Sequence, residues 1–369
     1  MFLPTIPLAW ALRAAGHEVL LANNGAAAKA IANAGLHAVD VCPDHDVFGE
    51  FMAASYAINT TPSGQSRPRR GGLGLFGEDM AEGLLALAKD FQPDLVLSTL
   101  EQGAGPLVAA EMGVPHVEQS VRLAWAGSND LARYYRKSIA DYLEPTRTRL
   151  ELPCPPVEPT TTIDVRPPSM GGQNTASQWL MRYVPYNESR LIPEWVVAKP
   201  PRPRICLTMG SVLPLSGDLA ALTDLLTMLA NLDIEIVLAF GEVDLSSVGR
   251  LPDNVRPVGW MPLSALLPNC AAIVHHAGAG TSLTALACGV PHLVIPQNAD
   301  QPANAAVLVE RGVGIRYDLA DVTPEAVREG LQQLLDKPGF RIAAGEVRDE
   351  IAAQPSPADI VARIEGLAR

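Results

Sequence analysis

Residues 271–301, AAIVHHAGAGTSLTALACGVPHLVIPQNADQ, constrain the fold more than any other stretch of this 369-residue chain. The apolar run Ala271-Ala272-Ile273-Val274 fits a buried parallel strand. Gly278-Ala279-Gly280 then lets the backbone turn sharply, with little side-chain bulk over its amides. Thr281 or Ser282 can cap a helix that runs through Ala287; Gly289 suits the position just past its end, and Pro291 stops continuation. Strand, tight turn, helix and strand in so short a span build a parallel sheet covered by helices. The helix start offers unpaired N–H groups and the positive end of a dipole, which favour a phosphate. His275 and His276 can add a donor to the same anion, and Asp300 and Gln301 suit sugar hydroxyls. Phosphate and sugar ligands in one segment point to a nucleotide sugar.

The unit occurs twice. Gly103-Ala104-Gly105 to Gly113-Val114-Pro115-His116 echoes Gly278-Ala279-Gly280 to Gly289-Val290-Pro291-His292. Around the first copy, strands are expected at 19–22, 38–41, 95–98 and 114–118, with helices near 5–15, 26–34, 78–90 and 105–112. Around the second, strands are expected at 204–208, 234–240, 255–258, 271–275 and 292–295. The proline-rich stretch 153–202 fits a connector. The expected organisation is α/β: a Rossmann-like domain over 1–152, the connector over 153–202, a second Rossmann-like domain over 203–354 and a closing helix over 355–369. The two domains face each other, with ligand in the cleft at the strands' carboxyl ends. Residues 60–76, rich in Gly, Pro and Arg, read as a long loop, either solvated or folded over an acceptor.

A formal net charge of −12 argues against nucleic acid as the main partner. The longest apolar runs fall far short of a membrane span. Arg13 and His17 interrupt the apolar start, so the first residues read as an amphipathic helix capped near Thr5 and stopped at Gly16, not as a signal peptide. Cys42, Cys154, Cys206, Cys270 and Cys288 show no metal-ligand spacing and read as buried, reduced thiols of a cytoplasmic protein.

Trp260-Met261-Pro262, then His275-His276-Ala277-Gly278-Ala279-Gly280-Thr281, then Asp300-Gln301, resemble the donor-binding signature of the family 1 glycosyltransferases. The likeness is nearest to actinobacterial enzymes that attach deoxysugars to antibiotics and other natural products. Residues 4–17 look like the first helix of those enzymes, and Arg182-Tyr183-Val184-Pro185-Tyr186-Asn187 like their interdomain segment. The resemblance implies a two-domain GT-B fold, inverting transfer and neither metal nor cofactor beyond the nucleotide-sugar co-substrate. It implies that Trp260 stacks on the donor base while the main chain of Met261 and Leu263 reaches the base edge. His276 and the amides of Gly278, Ala279, Gly280 and Thr281 would hold the diphosphate, beside a loop containing Gly210 and Ser211. Asp300 and Gln301 would bind sugar hydroxyls, while His275 packs or orients its neighbour. Thr284 stands where relatives that use UDP-sugars often carry a glutamate for the ribose, which favours dTDP, whose deoxyribose lacks the 2′-hydroxyl.

The resemblance also implies a histidine base three residues before Pro4, just after a first strand. Met1 stands at that position, so the first strand of the amino-terminal domain and the base are both expected to be missing, as in a fragment or an incomplete reading frame. Among the other histidines, His17, His116 and His292 read as structural and His45 as a poor substitute. Glu101 is the remaining catalytic candidate: it could orient the absent histidine, contact an acceptor, or be a surface carboxylate.

The expected activity is transfer of a deoxysugar from a dTDP donor to a small apolar aglycone of polyketide type. That aglycone would lie near 48–56, the 60–76 loop and 125–142. Two alternatives stay open: a UDP-hexose transferase acting on a lipid, sterol or carotenoid, and a non-catalytic sugar-nucleotide-binding or helper protein. A homodimer or a helper partner is compatible with either.

Overall fold

The computed structural model describes residues 2–51, 53, 74–125, 130–209, 219–241 and 250–368. Met1, Gly210, Ser211, residues 54–56 and residues 60–73 of the expected loop lie outside them.

The second half carries one six-stranded sheet of β7 (Arg204–Leu207), β8 (Glu235–Leu238), β9 (Val255–Pro257), β10 (Ala272–His275), β11 (His292–Val294) and β12 (Gly314–Arg316). Its order is β9-β8-β7-β10-β11-β12, every neighbouring pair parallel. β7 and β10 are buried along their whole length, as central strands covered on both faces must be. Chain direction through the sheet reverses between these two, so the crevice beyond their carboxyl ends is where an open parallel sheet accepts a ligand. The expected strands of this half are all present; β12, three residues long, was not foreseen.

In the first half, β1 (Leu20–Asn23) and β2 (His37–Asp40) form one parallel pair, and β3 (Val96–Ser98), β4 (His116–Gln119), β5 (Thr161–Asp164) and β6 (Gln178–Leu180) form a separate parallel sheet. The internal echo is structural. The helices Ala104–Met112 and Ala279–Ala287 lead from β3 to β4 and from β10 to β11. Each ends before a left-handed glycine, Gly113 or Gly289, at φ 68°. Matched in this way, β1 and β2 correspond to β8 and β9, which precede β10. Among the described residues, no strand of the first half takes the place that β7 has in the second. β1 is accordingly only half-buried, whereas β7 is fully buried.

The connector expected over 153–202 is corrected at 161–180. β5 and β6 extend the first-half sheet from β4, and their polar residues are held internally. Asp164, wholly buried, accepts from Arg166 (2.9 Å) and from the Gln178 amide (2.7 Å). The first helix runs Ile6–Ala14 and stops at Gly16 (φ 99°), close to expectation. Thr5 does not cap it: its hydroxyl donates to the Phe2 carbonyl at 2.7 Å. The closing helix Pro357–Glu365 returns to the first half, sharing a core with Leu8 through Ile360 and Ile364, while Glu365 meets His17 at 3.1 Å. Cys154 is exposed, contrary to expectation, and Cys42 and Cys288 are half-buried; Cys206 and Cys270 are buried, and all five thiols are free.

Candidate functional site

The turn after β10 is built from the sheet edge outward. His275, wholly buried, accepts the Ala277 N–H on Nδ1 (3.1 Å), which leaves its other nitrogen to donate to His292 Nδ1 (2.9 Å). It thus shapes the turn from inside. Ala277 is held at φ 64°, a left-handed conformation that costs an L-residue about 1–3 kcal/mol and persists where the surroundings impose it. Its carbonyl accepts from Asn304 Nδ2 at 2.9 Å. Gly278 precedes the helix Ala279–Ala287, and no side chain caps that end. The expected cap from Thr281 or Ser282 is therefore corrected: both lie inside the helix, and Ser282 is fully buried with its hydroxyl unpartnered. The amides of Ala279, Gly280 and Thr281 form the first turn, where no intrahelical acceptor exists. An anion is the natural complement to this end.

His276 leans over the turn. A Cβ on Gly278 would sit 2.3 Å from its Nε2, so a glycine is needed there for the ring to take this place. Burial pushes the His276 pKa down to about 4, against the opposing pull of the Asp300 carboxylate. The ring is therefore neutral at pH 7, and its buried Nδ1 has no protein partner.

After β11 the chain passes Ala299 (φ 54°) to Asp300, which precedes the helix Gln301–Glu310. Asp300 Oδ2 accepts from Arg122 Nη1 (2.9 Å) and Asn304 Nδ2 (3.1 Å). Gln301 is turned into its own loop, its Oε1 accepting the N–H groups of Gln297 (2.9 Å) and Asn298 (3.2 Å). Trp260 follows β9 and the left-handed Gly259; it packs toward Gly241 after β8, and its buried indole N–H has no partner. The Met261 side chain is in the core, and Leu263 opens the short helix Leu263–Leu266. All these residues follow strands of one parallel sheet and so share its carboxyl edge.

Thr284 lies elsewhere than expected of a donor ligand. It is fully buried, donates to the Gly280 carbonyl (2.8 Å), and its hydroxyl meets Tyr183 Oη (3.3 Å) and Asn187 Nδ2 (3.4 Å) of the interdomain segment. Glu101 is not a surface carboxylate: it is buried, with Oε1 paired to Arg122 (2.6 Å) and Oε2 unpartnered. His116 bonds Ser98 (2.9 Å) and His45 pairs with Glu50 (2.6 Å). His45, Glu50 and Asp79 lie close enough together to hold a cation, but belong to the first half and not to the turn after β10. Of the expected acceptor region, Phe48 is half-exposed and Trp125 stacks on Tyr135 at 5.6 Å.

Two residues escaped the sequence. Asn304, wholly buried, joins Ala277, Asp300 and, through Oδ1, the Ala124 N–H of the first half (3.1 Å). Its place one helical turn after Asp300 was a usable signal. Arg122 gave none, because both its carboxylate partners are far away in sequence.

A two-domain parallel α/β molecule with this turn is a GT-B glycosyltransferase, and the solved structures agree. The chain superposes on the glycosyltransferase SnogD from Streptomyces nogalater with a TM-score of 0.81 at 37% identity, covering 100% of this chain and 96% of that one. It superposes on the glycosyltransferase VinC in complex with dTDP with a TM-score of 0.82 at 31% identity, at the same coverage. The erythromycin biosynthesis protein CIII-like N-terminal domain matches residues 10–210, and the C-terminal domain of the same description matches 223–367. Elloramycin glycosyltransferase of Streptomyces olivaceus is 37% identical over 98% of this chain and 93% of its own length. A 3-alpha-mycarosylerythronolide B desosaminyl transferase of Saccharopolyspora erythraea is 33% identical over 98% and 94%. The chain belongs to this erythromycin biosynthesis protein CIII-like family of antibiotic glycosyltransferases, and its activity is glycosyl transfer. Among the described residues no helix is long and apolar enough to cross a membrane.

Proposed function

We propose that the protein moves a deoxysugar from a dTDP-sugar to a polyketide-type aglycone, with inversion at the anomeric carbon and no catalytic metal. The observation that carries this reading is the uncapped start of the helix Ala279–Ala287 under a neutral, unpartnered His276, with Asp300 following the next strand. Helix amides and one imidazole N–H suit a diphosphate, and the carboxylate suits a sugar hydroxyl. Trp260 supplies a ring for the base. Thr284 spends its hydroxyl on Tyr183, Asn187 and Gly280, and so offers nothing to a ribose 2′-hydroxyl. VinC is solved in complex with dTDP. Elloramycin glycosyltransferase and the desosaminyl transferase give the acceptor class its support.

Titration calorimetry with dTDP and UDP tests the donor. Binding of dTDP is expected at least about tenfold tighter, about 1.4 kcal/mol; equal affinities would overturn the dTDP assignment. Transfer from dTDP-deoxysugars to polyketide aglycones, unaffected by EDTA and giving a product of inverted anomeric configuration by NMR, tests the rest. Tight dTDP binding with no transfer to any aglycone would favour the non-catalytic reading.

A further inference from the structure

We infer that Arg122 is a positioning residue for the donor sugar: from the first half it fixes the Asp300 carboxylate in the orientation that receives a sugar hydroxyl. The inference rests on the reading of Asp300 as a sugar ligand. Arg122 follows β4, in the half that faces the acceptor, and its guanidinium lies between two carboxylates. Glu101 Oε1 is 2.6 Å from it on one side and Asp300 Oδ2 is 2.9 Å from it on the other. All three side chains are largely buried, with 12% exposure for Arg122 and for Asp300 and 5% for Glu101. The face of Trp125 packs against the guanidinium at 5.2 Å. A planar fork with donors on both edges can span two carboxylates, which an ammonium cannot do in the same geometry.

The arrangement divides the labour of the Asp300 carboxylate. Oδ2 is saturated by Arg122 and Asn304, while Oδ1 has no partner among the described residues. One oxygen is locked and the other is available, so the carboxylate is oriented before any sugar arrives and little freedom is lost on binding. A second bond ties the same two segments, from the Ala124 N–H to Asn304 Oδ1 at 3.1 Å. Residues 122–124 therefore clamp the start of the helix Gln301–Glu310 at two points. Arg122 does not itself touch the sugar; it acts through Asp300.

Binding of dTDP and dTDP-glucose to the full chain and its Arg122→Ala, Arg122→Lys, Asp300→Asn and Arg122→Ala/Asp300→Asn variants separates this role from a plain interdomain ion pair. Arg122→Ala is expected to leave dTDP affinity within about twofold and to weaken dTDP-glucose by about tenfold or more, the scale of a hydrogen bond to a charged group. Arg122→Lys should recover part of that loss, and the double variant should bind dTDP-glucose no worse than Asp300→Asn alone. Equal weakening of both ligands, or of neither, overturns the inference, as does a double variant that loses both single effects in full. If Arg122→Ala does not fold, Arg122→Gln against Arg122→Lys gives the same comparison. An Asp300→Asn variant that binds dTDP-glucose normally sinks the sugar reading of Asp300, a different failure from one confined to Arg122.

Discussion

Gly278 is required for what its neighbour does, not for its own backbone. Its φ of −62° is open to any residue, but a methyl group there would meet the His276 ring at 2.3 Å. Gly278→Ala should therefore keep the fold, with a melting temperature within a few degrees of the wild type, while displacing the imidazole. Calorimetry should show dTDP bound about tenfold more weakly, the value of one hydrogen bond to a charged oxygen; unchanged affinity would remove His276 from the proposed diphosphate site. Ala277 and Ala299 show the complementary case, with a left-handed backbone carried by residues that have a Cβ. Sequence gave the glycines and the polar residues of this site because their chemistry is local. It could not give their orientation. Gln301 turns inward onto Gln297 and Asn298, and Thr284 is consumed by Tyr183 and Asn187, because those bonds depend on how loops and segments meet.

At the scale of elements, the buried pair Glu118–Arg136 joins β4 to the helix Asp130–Arg149 through two bonds of 2.7 and 2.8 Å. Arg136 also meets Glu158 at 2.7 Å, so removing Arg136 is the more costly change: it strands the buried Glu118 carboxylate, a loss of about 3–5 kcal/mol. Arg136→Leu should show that loss in urea unfolding, and Glu118→Leu/Arg136→Leu should regain much of it. A single variant as stable as wild type would mean that water reaches Glu118. Strands with apolar runs, such as β7 and β10, were legible because their composition and their burial agree. β5 and β6 were not: they carry threonines, Asp164 and Gln178 into the interior, which is made tolerable by bonds such as those from Arg166 and Gln178 to Asp164 and from Thr161 to the Ser177 carbonyl. A proline-rich stretch therefore read as connector although two of that sheet's four strands lie in it.

Over the whole molecule, four histidines set the response to acid, His275 and His292 buried and His116 and His276 half-buried. Burial lowers His116 and His276 to about 4 and His292 to about 3, and lowers His275 as well. Unfolded, each titrates near 6.5. Between these values the unfolded chain binds more protons, so their contribution to stability is present above about pH 6.5 and is lost as pH falls toward 4. Glu118, raised by burial, works in the opposite sense, but is one group against four. Melting temperature should thus fall from pH 7 to pH 5, with a shallower slope in His292→Gln; a flat profile in the wild type would show the imidazoles to be wet. The internal echo of glycine, helix and glycine made the two-half design legible from sequence. The route of the tail was not, since nothing local to 355–369 names its partner. The helix Pro357–Glu365 crosses back to the first half, where Pro355 accepts the Arg182 N–H at 2.7 Å and Glu365 reaches His17. For anyone exchanging halves between relatives to recombine donors with acceptors, the chain has two seams, not one. A hybrid spliced near residue 200 takes its last helix from the wrong parent, and a compatible hybrid must carry residues 355–368 along with the first half.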